Sequence, residues 1–216
     1  MFADGLGFAQ NSFTALKMFI QNLRDSTATC HKQLELNSLS LALLSDTVNE
    51  HIYSTYLTRL YSFVKGFEQY IYPELSQHFL NINHREKSLF IEEDLKALGI
   101  AFEKHTLLEE VFFRDTYSDV YLAAGAFYVL EGSTLGGQII VKHLQKTMPA
   151  SFVNAAYFSG YQQKTGSMWK EFLQQLTALP QSTLEEEQII RGAITTFKII
   201  DGLLSNSNEK IIAYEN

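Results

Sequence analysis

Residues 118–148 read SDVYLAAGAFYVLEGSTLGGQIIVKHLQKTM, and this stretch decides the fold class. It is long, rich in apolar residues and free of proline, so it predicts a buried helix of about eight turns. The whole chain of 216 residues has only 3 prolines and 12 glycines, too few for the many turns of an all-β protein. Length and composition together indicate an all-α protein.

Five further segments have apolar residues at helical spacing. They cover approximately residues 11–36, 46–72, 87–98, 167–179 and 182–205. Asn11 or Ser12 is a good N-cap for the first of them. No linker or repeat separates the segments, so the sequence predicts a single-domain all-α helical bundle over residues 1–216, with its core at about 12–205.

Two helix ends carry specific signals. Gly99 follows the segment 87–98, and glycine readily takes the left-handed conformation that ends many helices. Ser182 and Glu185 have the spacing of a capping box, in which each side chain accepts a hydrogen bond from the other residue's backbone N–H. Both signals support the helical assignment.

Charge and cysteine content exclude several classes of function. The net charge is −7 and the pI is near 5.4, which argues against nucleic acid as a partner. The lone cysteine, Cys30, excludes an internal disulfide and a thiolate zinc site. No run of 18 apolar residues exists and residues 1–10 do not resemble a signal peptide. We expect a cytoplasmic protein with no membrane partner.

The long apolar segment contains four of the 12 glycines within 13 residues: Gly125, Gly132, Gly136 and Gly137. Each glycine inside a helix costs about 1 kcal/mol relative to alanine, so the cluster predicts a kink and needs an explanation. A phosphate loop is excluded because no Lys-Ser/Thr pair and no strand are present. Close helix packing and a flat ligand against bare backbone both stay open. A planar macrocycle would also account for the 13% aromatic content.

His31 lies on the apolar stripe of the first helix. It is either a buried histidine satisfied by hydrogen bonds or a metal ligand. Glu35, four residues later, can orient the ring as carboxylates do for metal-bound imidazoles. Arg24 lies two turns earlier on the same face, about 10 Å away, where it can meet an anionic group. Histidine for iron and arginine for a carboxylate together suit haem with its propionates.

Two stretches resemble a known family. Residues 23–35, LRDSTATCHKQLE, resemble the proximal helix of haem oxygenases. Residues 125–138, GAFYVLEGSTLGGQ, resemble their glycine-rich distal helix, in the version of bacterial biliverdin-forming members. Trp169, Phe172 and residues 193–197 are also similar, so the resemblance covers nearly the whole chain.

The resemblance implies haem b held between the first helix and a kinked glycine-rich helix. It implies oxidative cleavage of haem by O2 to biliverdin, CO and ferrous iron. The electrons would come from an external donor protein, a ferredoxin or a reductase. A phytochrome is a candidate acceptor of biliverdin, and both iron acquisition and chromophore supply remain open as purposes.

The resemblance also implies roles for individual residues. His31 matches the iron ligand, Glu35 its supporting carboxylate and Arg24 a group near a propionate. The remaining matched positions, which are expected to line the haem or act in catalysis, are Gly132, Ser133, Gly136, Gly137 and Phe197. Ser133 stands where other members carry an aspartate that organises water, and its hydroxyl can both donate and accept. Trp169 and Leu173 occupy positions where animal members offer basic residues.

Three other functions are compatible with a helical bundle. A non-catalytic haem protein for storage or sensing would use the same His31. A thiaminase-like hydrolase would need a catalytic cysteine inside the bundle, and Cys30 points about 100° away from His31 around the helix. A purely structural bundle would leave the glycine cluster and the Arg24, His31 and Glu35 group unexplained.

Overall fold

The computed structural model of the protein describes residues 5–100, 108–148 and 155–205, with backbone alone for residues 5–16. Ten α-helices form from these residues and no strand does. They are α1 (Gly5–Glu35), α2 (Ser38–Leu43), α3 (Glu50–Tyr70), α4 (Tyr72–Leu75), α5 (Ser88–Ala97), α6 (Glu110–Thr116), α7 (Val120–Thr147), α8 (Ala156–Ser159), α9 (Thr165–Ala178) and α10 (Thr183–Ser205). The predicted all-α class is confirmed, and kinked helices are present.

The predicted start of the first helix is wrong. α1 begins at Gly5, so Asn11 and Ser12 lie inside the helix rather than at its cap. Residues 5–16 contain no proline, and nothing in the local sequence interrupts the helix there.

α3 begins at Glu50 rather than near residue 46, because the Asn49 side chain caps it by accepting the N–H of Ile52 at 3.0 Å.

The short helices α2, α4, α6 and α8 were not predicted, because each is too short to show a periodic pattern. One of them shows how such a helix is held. The Asn37 side chain accepts the N–H of Leu39 at 3.0 Å at the start of α2. Its amide nitrogen also donates to Oδ1 of Asp201 in α10 at 2.8 Å. The same asparagine therefore starts α2 and ties it to the bundle.

Both predicted helix-end signals are confirmed. Gly99 has φ +68° immediately after α5 and its cap residue Leu98. At the start of α10, Ser182 Oγ accepts the N–H of Glu185 at 3.4 Å. Hydrogen bonds from the Tyr121 hydroxyl and from the backbone at Gln181 and Ser182 lower the pKa of the Glu185 carboxyl. These contacts fix where α10 begins.

α7 and α10 form the centre of the bundle and cross through glycines. A Cβ on Gly125 would lie 2.0 Å from the carbonyl oxygen of Ile189, and one on Gly192 would lie 2.1 Å from that of Leu122. Neither distance is possible for a real side chain, so the two backbones touch. Close helix packing therefore explains one glycine of the α7 cluster.

The other helices surround this central pair. α1 packs on α10, α8 and α9 pack on α7, and α3 packs on α5, α6 and α10. Much of the aromatic excess lies in the core between them and stacks ring on ring. Among the described residues, the fully buried phenylalanines are Phe63, Phe67, Phe79, Phe113, Phe127 and Phe172. These rings fill the core and do not line an open pocket.

No helix among the described residues has the length and apolar character needed to cross a membrane.

Candidate functional site

His31 lies on an open face of α1. Its side chain is 60% exposed, and Nδ1 lies 3.4 Å from Oε1 of Glu35. The edge of the ring contacts buried Phe197 on α10, with ring centroids 5.7 Å apart at 71°. The structure thus excludes the interpretation of His31 as a buried, internally satisfied histidine. One ring nitrogen faces a carboxylate while the side chain stays accessible, as a metal ligand requires.

Arg24 lies where α1 meets α7. It is exposed, and its side chain lies near the Tyr128 hydroxyl, as does the side chain of Thr27. Burial raises the pKa of the Tyr128 phenol, and the Arg24 charge opposes that rise. A guanidinium and a phenol side by side offer several donors to a carboxylate. Sequence reasoning missed Tyr128, although it lies four residues before Gly132 on one helix face.

One face of α7 is open and apolar. Apart from the backbone of α7 itself, no atom of the described residues lies within 4 Å of a Cβ built on Gly136, and of these residues only the Trp169 ring, at 3.8 Å, is near one built on Gly132. Leu135 and Ile139 are 43% and 69% exposed. The positions 132, 135, 136 and 139 share one helix face, which we call the open face. Bare backbone between exposed apolar side chains suits a flat apolar ligand.

Trp169 of α9 borders the open face. Its ring lies near Gly132 and 5.5 Å from the ring of Tyr128. It also packs on buried Phe172, at 5.5 Å. At the neighbouring positions Leu173 is half-buried and Lys170 is exposed. Trp169 and Tyr128 thus form an aromatic wall along one side of the open face.

Gly137 has the opposite surroundings from its neighbour Gly136. It is buried, and a Cβ there would lie 2.4 Å from the carbonyl oxygen of Phe158 in α8. The absence of a side chain at Gly137 is therefore explained by packing against α8. A contact between Gly137 and the ligand, as the sequence predicted, is not needed to explain why this position is glycine.

Ser133 is exposed, and its hydroxyl donates to the Leu130 carbonyl at 2.7 Å.

A buried cluster of charges directly precedes Gly132. Glu131 accepts from Arg85 Nη1 at 2.5 Å and from the Tyr161 hydroxyl at 2.7 Å, and it also pairs with Lys87 Nζ. Arg85, Lys87 and Glu131 are all at most 3% exposed. Arg85 Nη2 is buried without a hydrogen-bond partner among the described residues. The sequence signal for this cluster is Glu131 itself, a lone charged residue within an apolar stretch. Sequence reasoning did not predict its partners.

The cluster also fixes the neighbourhood of Trp169. Arg85 Nη1 donates to the carbonyl of Met168 at 3.3 Å, and the Arg85 guanidinium lies 6.0 Å from the Phe172 ring centre. Burial and the nearby Glu131 charge raise the pKa of the Tyr161 phenol far above its usual range. Tyr161 therefore stays protonated and donates to Glu131 at neutral pH. These contacts tie α7 to the start of α9.

Cys30 does not form a catalytic site with neighbouring groups. It is half-buried and lines a cavity of about 140 Å³ between α1 and α10, smaller than the roughly 300 Å³ of the smallest usual ligand pockets. The other residues around this cavity are Gln33, Phe197, Lys198, Asp201 and Gly202. Among the described residues, no group of three or more His, Cys, Asp or Glu side chains could hold a metal ion.

Comparison with known proteins decides the family. The sequence model described as heme oxygenase matches residues 17–206. The chain belongs to the haem oxygenase family. The match includes both stretches on which the resemblance rested, the one around His31 and the one from Gly125 to Gln138. No curated protein matches the sequence.

Solved structures of haem oxygenases share the fold. The enzyme from Leptospira interrogans is 17% identical, with a TM-score of 0.73 over 87% of this chain and 98% of that one. Haem oxygenase-1 of the cyanobacterium Synechocystis, solved with haem, is 17% identical, with a TM-score of 0.70 over 86% and 90%. The NO- and CO-bound enzyme of Neisseria meningitidis is 25% identical, with a TM-score of 0.66 over 86% and 89%.

Proposed function

We propose that the protein is a haem oxygenase that cleaves haem to biliverdin, CO and ferrous iron with O2 and external electrons. The proposal rests on one observation: α1 and α7 each present an accessible surface. Accessible His31 on α1 and the bare backbone of Gly136 on α7 belong to two helices that meet at Arg24 and Tyr128. One surface offers an iron ligand, and the other offers an apolar face without side chains in the way.

The residues present fit haem. His31 Nδ1 faces Glu35, so Nε2 is the atom available to iron, and the carboxylate fixes the ring,. Arg24 and the Tyr128 hydroxyl suit a propionate,. The apolar surface of Leu135 and Ile139 suits the macrocycle,. Phe197 sets the orientation of His31 from the core side by contacting the edge of its ring.

Bound haem supplies the O2-binding iron and is itself the molecule that is opened. The protein contributes position, space and protons. Gly132 and Gly136 keep the open face free of side chains, so a small molecule can lie beside backbone. Ser133, at the edge of that face, has a hydroxyl whose lone pairs can accept a hydrogen bond while it donates to the Leu130 carbonyl,. We assign Gly132, Ser133 and Gly136 to this catalytic face.

The partners follow from the proposed reaction. Ring opening needs electrons, so we propose an external donor protein, a ferredoxin or a reductase. A phytochrome is the proposed acceptor where biliverdin serves as a chromophore. We further propose that the chain works as a single domain in the cytoplasm. Nucleic acid is not a proposed partner, because the chain carries a net charge of −7,.

Aerobic turnover tests the proposal. Purified protein is loaded with haem and supplied with ascorbate or with ferredoxin and its reductase, and the pigments are identified by chromatography. We expect biliverdin from the unaltered protein and none from His31→Ala, while the matched variant of exposed His78, His78→Ala, retains activity. Haem binding without biliverdin would favour a storage or sensing protein. Full biliverdin formation by His31→Ala would show that the site is wrongly assigned.

A further inference from the structure

Trp169 is the residue of α9 that borders the open face. Two atoms of its indole ring lie 3.8 and 3.9 Å from the position of a Cβ on Gly132, and its ring centroid lies 5.5 Å from that of Tyr128. The side chain is half-buried, so one part of it packs on the bundle and another part is accessible. The place of this ring therefore sets where the open face ends on this side.

The start of α9 is not held by a cap of its own. Lys164, the residue at the N-cap position, is exposed and makes no side-chain hydrogen bond to the first turn. Thr165 Oγ1 donates to the Gln162 carbonyl at 2.8 Å, a contact within the same short segment. Gln162 itself has φ +52°, a conformation that is costly for a residue with a side chain. The position of this end of α9 therefore depends on contacts with other parts of the chain.

Arg85 supplies such contacts from the 3₁₀ turn that precedes α5. Its Nη1 donates to Oε2 of Glu131 at 2.5 Å and to the carbonyl of Met168 at 3.3 Å. Its Nη2 lies 3.7 Å from Oε2 of Glu171. Met168 and Glu171 stand on either side of Trp169 in the sequence. Arg85 thus contacts α9 just before and just after the residue that borders the open face.

One guanidinium connects the two positions that meet at this border. Glu131 directly precedes Gly132 in α7. Met168 directly precedes Trp169 in α9. The N–H donors of an arginine are fixed in one plane, and this side chain is 1% exposed, so it has little freedom to move. The spacing between Gly132 and Trp169 is therefore fixed from behind by a rigid buried group.

We propose that Arg85 is the positioning residue for Trp169, holding the indole against Gly132 and so fixing one border of the face on which haem lies. The inference deepens the proposed function and rests on it. Arg85 is buried behind the border and has no contact of its own with haem in this proposal. Without its contacts to α9, the first turns of that helix can move away from α7, and the indole moves with them.

Arg85→Lys is the test variant, because lysine keeps the charge beside Glu131 but replaces the planar fork with a single ammonium group. The matched control is Arg59→Lys. Arg59 is half-buried, and its Nη1 donates to the carbonyl of Leu204 in α10 at 2.5 Å. The control therefore loses the same kind of contact at a place away from α9.

The first measurement is the fluorescence of folded, haem-free protein, in which Trp169 is the only tryptophan of the chain. In Arg85→Lys we expect emission at longer wavelength and stronger quenching by acrylamide, because the indole becomes more accessible to water. Arg59→Lys should leave both unchanged. An unaltered Trp169 signal in folded Arg85→Lys, or an equal change in Arg59→Lys, would overturn the inference, since the arginine would then serve stability alone.

The second measurement is haem affinity in a double-mutant cycle. Arg85→Lys should weaken haem binding about two- to tenfold, the range of one aromatic contact. In a Trp169→Ala background the same change should have no further effect. An equal loss in both backgrounds, or no loss from Trp169→Ala itself, would show that Arg85 does not act on haem through Trp169.

A second variant keeps the inference testable if Arg85→Lys does not fold. Glu171→Gln removes the charge opposite Nη2 at a side chain that is 41% exposed, so the fold should tolerate it. It should shift the Trp169 emission in the same direction, and the absence of any shift would contradict the inference. Biliverdin formation tests the proposed function separately. If the unaltered protein forms none, the fluorescence of the haem-free proteins still decides whether Arg85 positions Trp169.

Discussion

Gly136 and Gly137 are consecutive residues of α7 with opposite surroundings. A Cβ on Gly137 would lie 2.4 Å from the Phe158 carbonyl oxygen. Within the part of the chain that the structure describes, no heavy atom outside the backbone of α7 lies within 4 Å of a Cβ on Gly136. Packing therefore requires one glycine and leaves the other without a structural reason. We propose that a ligand on the open face accounts for the missing side chain at Gly136. The two explanations of the glycine cluster thus apply to different members of it.

Filling the open face should weaken haem binding without harming the fold. Gly136→Leu should raise the free energy of unfolding of the haem-free protein by about 0.5–1 kcal/mol, because leucine favours helix. Crowding of the face should cost about 1–3 kcal/mol in haem binding, on the order of ten- to hundredfold in affinity. Haem titration followed by absorption measures this. Gly166→Leu, at another glycine with open surroundings, is the control and should bind haem normally.

A side chain added at Gly125, where α7 crosses α10, should lower the stability of the fold, whereas one added at Gly136 should raise it. Gly125→Ala places a methyl group where the Ile189 carbonyl oxygen would be 2.0 Å away, so the helices must separate. The cost of overpacking, about 1–3 kcal/mol, should exceed the gain of about 1 kcal/mol in helix propensity. Urea unfolding of the haem-free protein would show the net loss. A more stable Gly125→Ala protein would mean that the backbones do not touch there.

The fold class was predictable from the sequence because long periodic segments such as α7 and α10 need no tertiary information. The residues around His31 were predictable for the same reason, since Arg24 and Glu35 share its helix face. The distinction between Gly136 and Gly137 was not predictable, because it depends on the position of α8. The partners of Glu131 were equally hidden, since Arg85 and Tyr161 are 46 and 30 residues away in the chain.

The proposed contact between Arg24 and a haem propionate can be tested with two forms of the ligand. Arg24→Ala should weaken binding of haem by about 1 kcal/mol, on the order of fivefold, because an exposed charge–charge contact is lost. Binding of haem dimethyl ester, whose propionates carry no charge, should change little. The control Arg191→Ala removes another exposed arginine, on α10, and should affect neither ligand. Equal losses for both ligands would place Arg24 away from the propionates.

The buried charge cluster should make the stability of the fold sensitive to the loss of any one of its members. Glu131→Gln leaves Arg85 with only the partly exposed carboxylate of Glu171, 3.7 Å from Nη2, and removes the ion-pair partner of buried Lys87. Breaking a buried charge group costs about 3–5 kcal/mol. Glu92→Gln is the matched control, because Glu92 pairs with Lys65 at 3.3 Å while both are about one-third exposed. A partly exposed pair of this kind contributes at most about 1 kcal/mol. Urea unfolding of the haem-free proteins compares the two losses. If Glu131→Gln costs no more than Glu92→Gln, the charge of Glu131 does not hold α7 to the start of α9, and the hydrogen bonds that glutamine can still accept would be sufficient.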